Sequence, residues 1–149
     1  MPGLRQGNVK SLRWSQISLE RRHMWVSASE HKNGKAHAVP LNEQAMAVLQ
    51  KRKGTHRTYV FTYEGEPVTQ VSTKAWRNAL VRAGIEDFRW HDLRHTFATW
   101  HREVGTPTHE LQRLGGWRIQ SMVERYAHLA PEGLQAAAAR LDNLRVVTS

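Results

Sequence analysis

Glycine punctuates this chain and sets its architecture. From Ser72 onward one pattern recurs: apolar residues at helical spacing, then a glycine that stops them. Residues 72–83 carry Ala75, Trp76, Ala79, Leu80 and Ala83 on one face and end at Gly84. Residues 91–104 end at Gly105, and a helix opened by Thr108 ends at Gly115-Gly116. Two more helices are expected over 121–128 and 131–144. Upstream the period changes to two. Met24, Val26 and Ala28 alternate with Trp25, Asn33-Gly34 supplies a two-residue turn, and residues 36–39 alternate again before Pro40. Asn42 is positioned to cap a helix through Lys51 with Ala45, Val48 and Leu49 inward. Val9, Leu12 and Trp14 predict one helix near the start, and 58–63 a short strand before a turn at Gly65-Glu66-Pro67. The fold class read from this is α+β, mostly helical, with a small antiparallel β-sheet. A length of 149 residues supports one modest core.

Charge then narrows the partner. Lys and Arg number 22 against 13 Asp and Glu, a formal charge of +9. With a pI near 10.6, the surplus favours a polyanion, nucleic acid foremost. There are no cysteines, which excludes disulfide scaffolds, thiolate zinc sites and a cysteine nucleophile. No apolar run approaches membrane-spanning length and no leader pattern opens the chain. The expected compartment is the cytoplasm, in association with the nucleoid.

The segment richest in chemistry is His91-Asp92-Leu93-Arg94-His95. On a helix, His91 and Arg94 share a face and His95 stands one turn from His91. An imidazole that moves protons beside a guanidinium that grips oxygens suits a phosphate site; the other reading is two ordinary histidines near an arginine. The same i, i+4 histidines match half of a zinc motif, but Arg94 between them repels a cation and no cysteine completes the set. Scattered acids do not form a two-metal cage, and no Gly-x-Ser-x-Gly elbow occurs. Neither a metal site nor a cofactor is expected. Downstream, Tyr126 follows the Gly-Gly break. It is either a core residue or a nucleophile able to store a phosphodiester bond as a phenolic ester. At an unperturbed pKa of about 10 the phenol needs cations or a base nearby to act near neutrality.

Taken together, His91-x-x-Arg94-His95, the block Leu114-Gly115-Gly116-Trp117 and Arg125-Tyr126 resemble the catalytic core of tyrosine recombinases, the phage integrase family. Gly3-Leu4-Arg5 with Val9 and Leu12-Arg13-Trp14 resembles the motif of that family's first catalytic arginine. Lys32-Asn33-Gly34-Lys35, ending in Val39-Pro40-Leu41, resembles its lysine hairpin. The blocks fall in family order from Arg5 to Tyr126.

The resemblance implies site-specific DNA recombination or integration through a 3′-phosphotyrosyl intermediate, as in the integrase of a prophage or mobile element. It implies Arg5 and Arg94 as phosphate clamps, Lys32 as acid for the leaving 5′-oxygen, His91 as general base and Tyr126 as nucleophile. Trp117 stands where most members carry His and some Trp. With one N–H donor and no titratable proton, it binds phosphate or buttresses the site. Lys35, the neighbouring alternative to Lys32, is with Arg89 and Arg113 an expected DNA contact. The implied partner is double-stranded DNA, held by a homotetramer of the full-length parent. Residues 1–149 are read as a truncated C-terminal catalytic domain lacking the family's N-terminal DNA-clamping domain. Leu134, Ala137, Ala138 and Leu141 form a stripe that packs either on its own domain or on a neighbouring subunit. Type IB topoisomerase-like relaxation and a non-catalytic DNA-binding fragment are the alternatives.

Overall fold

Among the described residues two apolar clusters, one under a sheet and one among helices, organise the fold. A computed structural model describes residues 3–26 and 36–127. Lys32, Lys35, the Asn33-Gly34 turn and the expected 131–144 helix with its apolar stripe lie outside the described residues.

Three strands form an antiparallel sheet in the order β1 (Ile17–Ser18), β2 (His23–Val26), β3 (His37–Pro40). Met24 pairs with Val39 and Trp25 with Ala38. Period-two alternation therefore puts Met24, Val26 and Val39 on the buried face, with Trp25 turned outward. They pack with Leu12, Leu41, Leu49 and Val60. Helix α2 (Glu43–Arg52) lies against this cluster, and the Asn42 side chain accepts a hydrogen bond from the Ala45 N–H as its cap. Leu49 and Ala45 face inward as expected, but Val48 is largely exposed and Met46 takes its place against the core.

Other expectations shift for local reasons. The first helix, α1, ends at Lys10 (Gln6–Lys10), and Trp14–Gln16 form a separate 3₁₀ turn. Leu12 and Trp14 instead join the 58–60 segment through Trp14 N–H to Thr58 C=O (3.0 Å) and Val60 N–H to Leu12 C=O (3.0 Å). Only Thr62–Tyr63 of the expected 58–63 strand is regular (β4), paired with β5 (Glu66–Pro67) around Glu64-Gly65. The turn thus sits one residue earlier than expected, with Glu66 and Pro67 already in the returning strand.

The helical half contains α3 (Lys74–Ala83), α4 (Asp92–Glu103), α5 (Thr108–Gly115) and α6 (Ser121–Glu124). Thr73 caps α3 through its hydroxyl. Of its expected inner face, Trp76, Ala79 and Leu80 are partly covered, while Ala75 and Ala83 are exposed. Trp76 packs on Trp90, with ring centres 5.0 Å apart, so α3 is fixed by aromatics just before α4. Within the described residues α6 is a single turn, shorter than expected. Its Val123 joins Ala98, Leu111 and Tyr126 in the second cluster, edged by Phe97 and Trp117. Gly116 ends α5 at φ 62°, a left-handed conformation that glycine adopts without strain. A Cβ there would also press on the His37 ring at 2.8 Å. At this closure α5 sits against β3.

Candidate active site

Among the described residues, Arg94 is the one charged residue with a buried side chain, at 6% exposure. It lies on the first turns of α4, whose entry is fixed by Asp92. The Asp92 carboxylate accepts from the Arg89 backbone N–H at 2.7 Å and contacts the Arg89 guanidinium at 3.3–3.4 Å. Those bonds hold its carboxyl below the usual value. Arg94 Nη1 donates to the Gly115 carbonyl at 2.6 Å and to the Gly3 carbonyl. Its guanidinium carbon sits 4.0 Å over the Trp117 ring, a cation–π contact. These partners orient the fork without neutralising it. Burial and the nearby positive charge of Arg5 bring its pKa down to about 10. A buried cation with neutral partners and a like charge beside it is electrostatically costly. An anion arriving there relieves that cost.

Arg5 is half-buried and sits at the N-cap of α1 with extended backbone (φ −67°, ψ 147°). Gly3, two residues earlier, supplies the carbonyl to Arg94, and a Cβ there would collide with the Phe97 ring. The first motif is therefore joined to α4 by direct contact. Gly115 has a parallel role. A Cβ on it would fall well inside 3.0 Å of three Trp117 ring carbons, so the bare Cα is what lets the indole lie across Arg94.

Tyr126 is 7% exposed and belongs to the helical core. Its ring centre is 6.4 Å from that of Trp117. The phenol hydroxyl is hydrogen-bonded to His95 Nδ1. Burial pushes the phenol pKa up, against the opposing pull of Arg125 and Arg94. Burial likewise pushes the His95 imidazole down, assisted by His91 and opposed by Asp92. A neutral histidine thus faces a protonated phenol beside a buried guanidinium. Such a combination has the chemistry to accept a proton from an oxygen nucleophile and to meet charge developing on a phosphate.

Of the residues expected from sequence, Arg94, Trp117 and Tyr126 come together in direct contact, with Arg5 close enough to act on Arg94 electrostatically. His91 is exposed at the N-cap of α4, and its ring stands edge-on to His95 at 5.2 Å. The described bond to the Tyr126 hydroxyl comes from His95, a residue the sequence argument left out of the site. The available signal was its place one turn after His91 and adjacent to Arg94. Arg89 is exposed and engaged with Asp92, and Arg113 is exposed on α5. Tyr63 is 72% exposed, whereas the Arg13 guanidinium stacks on the Tyr59 ring at 5.2 Å. Among the described residues no group of three or more His, Asp or Glu is arranged to hold a metal. No described helix is long and apolar enough to cross a membrane.

A sequence profile of the phage integrase family matches residues 2–132. The chain belongs to the phage integrase family. This integrase-family chain is 43% identical over 155 aligned residues to the integrase of Salmonella phage P22, covering 95% of the chain and 40% of that protein. It is 36% identical to a shufflon-specific DNA recombinase of Escherichia coli, covering 85% of the chain and 32% of that protein. The chain thus spans less than half the length of these relatives. Its fold matches the catalytic domain of bacteriophage HP1 integrase with a TM-score of 0.66 at 25% identity, covering 95% of the chain and 78% of that domain. It also matches the XerA recombinase with a TM-score of 0.69, covering 97% of the chain and 55% of XerA. The integrase fold is therefore the observed α+β architecture, mostly helical with small antiparallel sheets.

Proposed function

We propose that this chain cleaves and rejoins DNA strands through a 3′-phosphotyrosyl intermediate on Tyr126, as the catalytic part of a site-specific recombinase of a prophage or mobile element. The observation that carries this reading is the Tyr126 hydroxyl bonded to a histidine beside the buried, charge-bearing Arg94. The phenol oxygen attacks the scissile phosphorus and the 5′-oxygen leaves. Arg94 and Arg5 meet the charge that builds on the non-bridging oxygens. The Nη2 and Nε donors of Arg94 are the ones a phosphate engages, because Nη1 serves Gly3 and Gly115. Trp117 buttresses Arg94. His91 acts as general base on the phenol, and Lys32 protonates the leaving oxygen.

The substrate is double-stranded DNA, with Lys35, Arg89 and Arg113 on its backbone, and the working assembly is a homotetramer of the longer protein. Guanidinium and ammonium groups supply the positive charge, so cleavage needs no metal. The setting is the cytoplasm, at the nucleoid. Names of relatives such as the P22 integrase and the shufflon-specific recombinase support this reading.

The test is covalent capture. Incubation with nicked suicide duplexes, followed by peptide mass spectrometry, is expected to yield a DNA adduct on Tyr126 that Tyr126→Phe abolishes. An adduct on Tyr59 or Tyr63, or an undiminished yield after the substitution, overturns the reading. Strand exchange between two duplexes, rather than relaxation of one supercoiled plasmid, is the product expected.

A further inference from the structure

The buried face of the sheet extends beyond its own apolar cluster. His37 opens β3 and pairs with Val26, as Val39 pairs with Met24, so all four side chains share one face. Met24, Val26 and Val39 belong to the first cluster. The His37 ring reaches past it to the end of α5. A Cβ on Gly116 would stand 2.8 Å from His37 Cε1 and 2.9 Å from His37 Nε2, so the imidazole lies on the bare side of the Gly116 Cα. His37 Nε2 is buried there.

The turn seated on this ring is the one that holds Arg94. Gly115 gives its carbonyl to Arg94 Nη1 at 2.6 Å. Gly116 turns the chain at φ 62°, and Trp117 lays its ring 4.0 Å from the guanidinium carbon. From the α5 side the turn is closed by Trp117 N–H donating to the Gln112 carbonyl at 3.0 Å. The Gln112 side-chain amide donates in return to the Trp117 carbonyl at 3.3 Å. From the sheet side it is backed by His37. A turn tied only to its own helix is free to pivot, and an indole one residue beyond the pivot swings with it.

We infer that His37 is a positioning residue for strand cleavage: its ring seats Gly116 and thereby fixes where Arg94 meets the phosphate. The inference rests on the recombinase reading and adds to it a residue from the sheet. His37 serves by its shape and needs to move no proton. Its effect is large because Arg94 works by aiming donors at charge that develops on non-bridging oxygens. A misplacement of about 1 Å in such a group can cost about 100-fold in rate.

The probe is a pool of randomised-sequence nicked duplexes. Single-turnover adduct formation on Tyr126 is followed at saturating DNA for the wild type, His37→Ala, Arg94→Lys and the double variant, at a temperature where circular dichroism shows each chain folded. His37→Ala is expected to slow the reaction by about 10-fold or more, with DNA affinity unchanged. In the Arg94→Lys background it should slow it by less than about 3-fold, because the group it places is already lost. A second pool carries a methylphosphonate at one fixed position, and the adduct's mass identifies cleavage there. That phosphorus centre bears one negative charge fewer, so less charge builds for a guanidinium to meet. The deficits of His37→Ala and Arg94→Lys should therefore shrink together. His37→Leu, which refills the seat without a ring nitrogen, should recover most of the lost rate. His37→Val, suited to a strand, serves if Ala disturbs β3.

Cleavage by His37→Ala at the wild-type rate overturns the inference and leaves the recombinase reading standing. So does slowing that simply multiplies with that of Arg94→Lys, a methylphosphonate response unlike that of Arg94→Lys, or a His37→Leu chain as slow as His37→Ala. If the wild type forms no adduct on Tyr126, or Tyr126→Phe still forms one, the recombinase reading itself fails and the inference with it.

Discussion

Gly115→Ala is expected to reverse sign according to what stands at residue 117. Gly115 is the last residue of α5 and its φ is not left-handed. Helix propensity by itself makes alanine the better residue there, by about 0.5–1 kcal/mol. The structure predicts the opposite in the native chain. An added Cβ would lie well inside 3.0 Å of Trp117 Cζ3, Cε3 and Cη2, against a relaxed carbon–carbon separation of about 3.5–4.0 Å. The indole must retreat by roughly 2 Å to reach that separation, and it is held between the Arg94 guanidinium and the Tyr126 ring. Overpacking of that kind costs about 1–3 kcal/mol, and weakening the cation–π contact adds about 1 kcal/mol. Net destabilisation of about 1–3 kcal/mol follows. In a Trp117→Ala background the obstruction is gone, and Gly115→Ala should stabilise by about 0.5–1 kcal/mol. The coupling between the two sites is therefore about 2–4 kcal/mol. Urea unfolding of the four chains, followed by far-ultraviolet circular dichroism, measures it. Equal effects of Gly115→Ala in both backgrounds would refute the argument that the indole's seat requires glycine.

Arg94→Lys should lose cleavage by about 100-fold or more, because an ammonium cannot span two carbonyls and a phosphate as the fork does; single-turnover adduct formation checks it. Binding to random duplex DNA should weaken steeply with salt, and a flat dependence in a fluorescence titration would separate the +9 charge from DNA contact. His95 and His101 both hold their imidazoles below 6.5, burial being the first cause of each. The unfolded chain therefore takes up those protons first, and stability should fall as pH drops through 6.5. His101→Gln should flatten that fall in denaturant titrations at pH 7.5 and 5.5. Adduct formation should persist in excess chelator, and its loss with restoration by magnesium would show that a metal had been overlooked.

The helix stops were legible because glycine and capping residues act locally: Gly84, Gly105 and Gly116 end their helices as expected, and Asn42 begins α2. The face of β2 was legible for the same reason, since alternation alone puts Met24 and Val26 together. Apolar periodicity was a poorer guide where tertiary contacts intervene. Leu12 and Trp14 continue the helical spacing of Val9, yet backbone bonds to 58–60 draw them away. Val48 keeps the spacing of a buried stripe but sits on the shoulder of α2 beside an open apolar hollow shared with Leu4, Val9 and Phe61. At the site, residue types pointed to Arg94 and to Tyr126 as a candidate, and the family resemblance added Trp117. The part played by His95 depends on where the end of α6 meets α4, and no local pattern encodes that approach.

The two carbonyls that hold Arg94 come from opposite ends of the folding problem. Gly3 lies 91 residues before it and Gly115 lies 21 after it. Closing so large a loop is slow relative to forming the helix that carries the arginine. During synthesis α4 is complete while α5 and α6 are still unmade, so Arg94 then has neither Gly115 nor Tyr126 beside it. The nascent chain is consequently a polycation without Tyr126, the proposed nucleophile, in place. On the proposed function, the site that would break a DNA strand is assembled last, with the final docking of the fold.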